Sequence, residues 1–144
     1  MLRQELMQEL IQFFLQANQT TFEISYQARD QEVTPIQYRI LELVYFENGR
    51  SPGEVAHCLH LSPPNATREI SKLVRSGYLR KTPPLDGDKR RIVLELDEAG
   101  QALMAVSAQK IQQEIQKRFG QLDEKHQREL LRSIKSITSI LWPS

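Results

Sequence analysis

The chain has 144 residues, 40% hydrophobic and 26% charged, with a formal net charge of +1; this suits one domain with its own core and argues against disorder along the whole length. No apolar run approaches the roughly 20 residues needed to span a bilayer, and the single cysteine, Cys58, excludes an internal disulfide framework. The opening residues Met1-Leu2-Arg3-Gln4-Glu5 lack the charged-then-apolar layout of a secretion signal, so the expected compartment is the cytoplasm, with no membrane partner.

The first predicted element is a helix over 2–29, where Leu2, Leu6, Leu10, Phe13, Phe14 and Ala17 recur at three- and four-residue spacing. Asn18 to Thr21 weakens its middle and marks a candidate break. Thr34 reads as an N-cap, with Pro35 at the first helical position and Gln37 three residues past the cap. That opens a helix to about Phe46 with Ile36, Ile40, Leu43 and Val44 inward, ended by Asn48-Gly49. Ser51-Pro52 opens a short helix carrying Val55, Ala56 and Leu59. Ser62-Pro63 opens another, with Ala66, Ile70 and Leu73 inward and Gly77 closing it.

The pattern then changes. Tyr78 to Thr82 reads as a strand, Pro83 to Asp88 as turn material, and Arg91 to Leu96 as a return strand. Asp97 caps a long helix through Leu103, Val106, Ile111 and Ile115 to about Phe119. A last helix runs from near Asp123 through Leu130, Leu131, Ile134, Ile137 and Leu141 to Trp142. The fold class is mainly α with a small β-hairpin.

Charge is distributed unevenly along this order. Residues 1–61 carry four basic and eight acidic side chains, and residues 92–144 carry seven of each. Residues 62–91 carry eight basic side chains against Glu69, Asp86 and Asp88. A clustered basic footprint is what phosphate binding uses, because affinity there comes largely from counterion release. The short helix ending at His60, the Leu61-Ser62 link and the basic helix after it have helix-turn-helix spacing. Opposite the apolar stripe at 66, 70 and 73 lie Pro64, Thr67, Arg68, Ser71 and Arg75, flanked by Asn65 and Lys72. Such groups suit base edges and phosphates, and Ser62 combines a cap with a hydroxyl for phosphate. The following hairpin, a wing, carries Lys89, Arg90 and Arg91 at or beside its tip. An arginine there suits a minor groove, with Asp88 two positions before Arg90 placed to brace the guanidinium.

Other chemistry lacks parts. There is no nucleophile elbow, phosphate-binding loop or dinucleotide fingerprint, so an enzyme is not expected, and no cofactor is implied. Cys58 beside His57 reads better as an inert helix cysteine than as an oxidant sensor. Glu54, His57, Cys58 and His60 match metal ligands by type, but Cys58 and His60 diverge on a helix, so no metal site is expected. The apolar stripes near the two chain ends, with Ile140 and Trp142 in the second, exceed what a core this small can receive. An intersubunit bundle is the expected destination. The competing reading is a winged-helix protein-interaction module without operator binding.

Thr34-Pro35-x-Gln37, the helix-turn-helix through Gly77-Tyr78-Leu79, the Asp88-Lys89-Arg90 wing and the Leu96-Asp97-Glu98-Ala99-Gly100 junction together resemble the MarR family of winged helix-turn-helix transcriptional regulators. The resemblance implies one MarR-like chain over 1–144, with a DNA-binding lobe at 31–100 and dimerisation helices at 1–30 and 101–144. It implies a homodimer on double-stranded DNA with a palindromic operator. Asn65, Thr67, Arg68 and Lys72 would face the major groove, and Arg90, braced by Asp88, the minor groove. It also implies a small aromatic or phenolic effector, for which Phe14, Phe22, Tyr26, Tyr38 and Tyr45 are candidates. From residue types alone these aromatics fit plain core packing better.

Overall fold

The computed structural model describes residues 1–29, 32–46, 50–83 and 91–144. These hold, in chain order, helices α1 (Gln4–Ala28), α2 (Pro35–Phe46), α3 (Pro52–Cys58) and α4 (Pro63–Arg75), strands β1 (Leu79–Thr82) and β2 (Val93–Leu96), and helices α5 (Glu98–Phe119) and α6 (Glu124–Leu141). The chain divides into two units, Met1–Ile111 and Gln112–Ser144, with the division inside α5. Among the described residues no helix is long and apolar enough to cross a membrane.

Helix starts follow the caps. At α2 the capping box is complete: Gln37 N–H donates to Thr34 Oγ1 at 3.2 Å, and Thr34 N–H donates to Gln37 Oε1 at 3.1 Å. Ser51 Oγ accepts from Glu54 N–H at 3.1 Å, Ser62 Oγ from Asn65 N–H at 3.4 Å, and Asp123 Oδ1 from His126 N–H at 2.8 Å. The Asp97 carboxylate accepts from the adjacent Glu98 N–H at 3.0 Å. α1 runs unbroken through Asn18 to Thr21, the candidate break. Gln19 bridges that stretch by donating to Glu23 Oε1 one turn on, at 3.1 Å.

One core fills the first unit. It joins Val33, Tyr38, Ile40, Leu41 and Val44 to Val55 and Ala56 of α3, Ala66, Ile70 and Leu73 of α4, Leu79, Leu94 and Leu96 of the hairpin, and Met104 of α5. The inward face of α2 differs from the periodicity reading. Leu41 and Tyr38 are buried, whereas Leu43 and Ile36 are only half-buried. The buried positions 38, 40, 41 and 44 share one broad face of the helix, rotated from the expected stripe toward Leu41 and Tyr38. β1 and β2 pair antiparallel with Leu79 opposite Leu96 and Thr82 opposite Val93, and Arg50 adds a single bridge to Leu94.

α1 sends almost nothing into this core. Leu2, Leu6, Met7, Ile11, Phe13, Phe14 and Leu15 are all exposed, and Ala28 is its one buried residue. In the second unit, taken by itself, α6 buries no residue, and Leu130, Leu131, Ile134, Ile140 and Trp142 are exposed.

Candidate nucleic-acid interface

α3 and α4 are joined by residues 59–62, and the turn is built by a specific set of bonds. Leu61 N–H donates to Ala56 O at 2.9 Å and His60 N–H to His57 O at 3.3 Å. This is the double bond of a Schellman ending, with His60 in the left-handed position at φ 54°. α4 ends the same way: Tyr78 N–H donates to Leu73 O at 2.9 Å and Gly77 N–H to Val74 O at 3.1 Å, with Gly77 at φ 82°. Glycine adopts that conformation without strain; histidine holds it at a steric cost.

α4 is strongly two-sided. Ala66, Ile70 and Leu73 are each 1% exposed. Ser62, Asn65, Thr67, Arg68, Lys72 and Arg75 are exposed and Ser71 is half-buried. Two of the cations are held by neighbours. Arg68 Nη2 donates to Asn65 Oδ1 at 2.5 Å, one turn back, and Lys72 Nζ lies 3.5 Å from Glu69 Oε1. Glu69 also accepts from Gln37 Nε2 at 3.1 Å through its other oxygen. The sequence pattern alone gave no place to this link, since Gln37 and Glu69 are 32 residues apart.

At the base of the hairpin Arg80 donates to Glu95 Oε2 through Nε (3.1 Å) and Nη2 (2.8 Å) and approaches Asp97 at 3.7 Å. That cation is therefore committed to cross-strand pairing. Arg91 is exposed. Asp88, Lys89 and Arg90 lie outside the described residues.

A pocket of about 290 Å³ lies in the first unit between the end of α1 and the start of α2. Phe22, Tyr26, Pro35 and Tyr38 form its apolar walls, and Phe22 and Tyr26 stack with centroids 6.4 Å apart. Phe14 and Tyr45 do not line it. Arg29, Arg39 and Glu42, not singled out by sequence, lie at the same pocket. Arg39 is paired with Glu42 at 2.7 Å, and Arg29 Nη1 donates to Val33 O at 2.7 Å. Tyr38 hydrogen-bonds buried Ser107 of α5. Burial raises the Tyr38 phenol above its ordinary 10.0; the Ser107 bond opposes this and the Glu42 carboxylate adds to it.

Cys58 is exposed, and Arg50 Nη1 donates to its sulfur at 3.0 Å. Among the described residues no three His, Cys, Asp or Glu side chains gather as a metal ion would require.

A capped two-sided helix, set behind a shorter one and followed by an antiparallel hairpin, defines a winged helix-turn-helix protein. Residues 31–91 match the sequence model of the MarR family. No curated protein matches the chain by sequence. Solved structures share the fold at low identity. The transcriptional regulator Tm0710 from Thermotoga maritima is 24% identical over 90% of this chain and 93% of that one, with a TM-score of 0.70. RV1404 from Mycobacterium tuberculosis is 18% identical over 93% and 92%, with a TM-score of 0.76. A point mutant of S. aureus MepR bound to an oligodeoxyribonucleotide is 17% identical over 92% and 97%, with a TM-score of 0.60.

Proposed function

We propose that this chain is a sequence-specific double-stranded DNA-binding regulator of repressor type, acting as a homodimer on a palindromic operator. The observation that carries the reading is α4, with its core stripe fully buried and Asn65, Thr67, Arg68, Lys72 and Arg75 turned to solvent. Arg68 enters the major groove as a planar donor already oriented by Asn65. Lys72 and Arg75 meet phosphate, and Ser62 adds a hydroxyl at the N-terminus of α4, where the helix dipole favours an anion. Arg91 extends the contact beside the hairpin, and the sequence offers Lys89 and Arg90, with Asp88, for the same side of the contact. The MepR mutant bound to an oligodeoxyribonucleotide supports the same use of the fold.

The dimer is carried by the exposed apolar faces of α1 and α6, where Phe13, Phe14, Leu131 and Ile134, with Trp142 just past α6, need cover in water. The pocket beside Tyr26 and Tyr38 takes a small flat aromatic effector between apolar walls. Such a ligand weakens DNA binding by its preference for one spacing of the two recognition helices.

Selection of duplexes from a random pool tests the reading, followed by titration of the selected duplex at increasing salt. The expected result is a two-fold symmetric site whose affinity falls about 10³-fold or more between 50 and 200 mM salt if each dimer meets six or more phosphates. A protein that shifts no duplex but binds a protein partner independently of salt would be an interaction module instead.

A further inference from the structure

The link from α2 to the recognition helix carries a consequence for specificity, and it rests on the DNA-binding reading above. Both ends of the Gln37 amide are engaged. Its carbonyl oxygen accepts from Thr34 N–H to close the cap of α2, and its amide nitrogen donates to Glu69. The two partners fix which end of the amide is which, because an N–H must face an oxygen and a carboxylate must face a donor. Glu69 then divides its oxygens between Gln37 at 3.1 Å and Lys72 at 3.5 Å. Its side chain is 16% exposed against 48% for Lys72, so the carboxylate is held against the protein while the ammonium reaches outward.

A carboxylate on a helix that meets polyphosphate lowers attraction to any duplex, whatever its sequence. Its compensating use here is geometric. A lysine is a flexible point charge that contacts phosphate in many poses, and a fixed carboxylate limits those poses. The geometry points to Glu69 as a specificity-determining positioning residue. Anchored by Gln37, it aims Lys72 and ties the recognition helix to the start of α2, exchanging sequence-independent attraction for a fixed docking register.

Two substitutions separate the two arms. Glu69→Gln keeps an oxygen for the Gln37 amide but removes the charge that holds Lys72. Gln37→Glu keeps an acceptor for Thr34 N–H, so the α2 cap survives, but sets two carboxylates against each other. Affinity is measured in the full-length protein for the duplex selected by the unsubstituted chain and for a scrambled duplex, with melting temperature recorded for each variant. Glu69→Gln should tighten scrambled-duplex binding and lower the ratio of selected to scrambled affinity about fivefold. Gln37→Glu should lower that ratio and, because the opposed carboxylates repel, also lower the melting temperature; the ratio compares two duplexes on the same folded protein and is read independently of that loss. The double variant, in which the new amide at position 69 can donate to the new carboxylate at position 37, should recover part of what Gln37→Glu alone loses, while the loss from the missing charge at position 69 persists. A ratio unchanged in both single variants, or no recovery in the double variant, overturns the positioning role while leaving DNA binding intact. An unsubstituted chain that prefers no duplex overturns both.

Discussion

Gly100 sits in the first turn of α5, buried where that helix meets the start of the hairpin. A Cβ at this position would lie 2.1 Å from Tyr78 O, 3.1 Å from Tyr78 C and 3.3 Å from Leu96 Cδ2. The first contact is with backbone, which has no rotamer through which to escape. Restoring ordinary separation requires α5 to move by about 1 Å, enough to break the Asp97 N–H bond to Tyr78 O, now 3.0 Å long. Overpacking of this kind costs about 1–3 kcal/mol, and the lost hydrogen bond adds about 1. Alanine's better helix propensity returns about 1. Gly100→Ala should therefore destabilise the first unit by about 2 kcal/mol. Urea unfolding followed by circular dichroism checks this, with the slope compared between variants so that a midpoint shift can be converted to free energy. Propensity alone predicts the opposite sign. A neutral or stabilised Gly100→Ala protein would refute the steric account and mean that α5 is loosely seated on the hairpin.

The two helix endings give a paired prediction. Gly77 has open space around an added Cβ, so Gly77→Ala pays for backbone strain alone and loses about 1 kcal/mol. His60→Gly relieves the same strain and should be neutral to stabilising by up to about 1 kcal/mol, lowered by the greater freedom of the unfolded chain; paired thermal melts distinguish the signs. Tyr38→Phe leaves buried Ser107 without its phenol partner and should cost about 1 kcal/mol at neutral pH. Because the folded phenol holds its proton more tightly than the unfolded one, stability is complete below pH 10.0 and falls as pH rises above it. That alkaline decline should shrink in Tyr38→Phe, measured by denaturant midpoints across pH 9 to 11. Asn65→Ala frees the Arg68 guanidinium and should weaken the selected duplex more than a scrambled one; equal weakening would reassign Arg68 to phosphate.

The elements themselves were legible because their signals are local. Thr34-Pro35, Ser51-Pro52 and Ser62-Pro63 place a cap and a pre-set φ at consecutive positions, and α2, α3 and α4 begin there. The stripe at Ala66, Ile70 and Leu73 has the helical period, so both faces of α4 followed from spacing. Where several long-range contacts compete, local signals gave less. Leu41 enters the core because the packed face of α2 is broad and rotated from the expected stripe, an orientation set by the elements it meets. The weak middle of α1 does not break, since a helix this long outweighs a few poor formers.

The basic helix after a short capped helix was determined by sequence alone, because charge and period are both properties of a short segment. Only the tertiary structure decided which cations are held and by what. Arg80 is bound across the hairpin to Glu95, while Lys72 is governed by Glu69 and, behind it, by Gln37. The Lys72–Glu69 pair is one helical turn, but Arg80–Glu95 and Gln37–Glu69 join residues 15 and 32 apart in the chain, where no periodicity reaches. Only the folding of α2, α4 and the hairpin around one core brings their side chains within hydrogen-bonding distance.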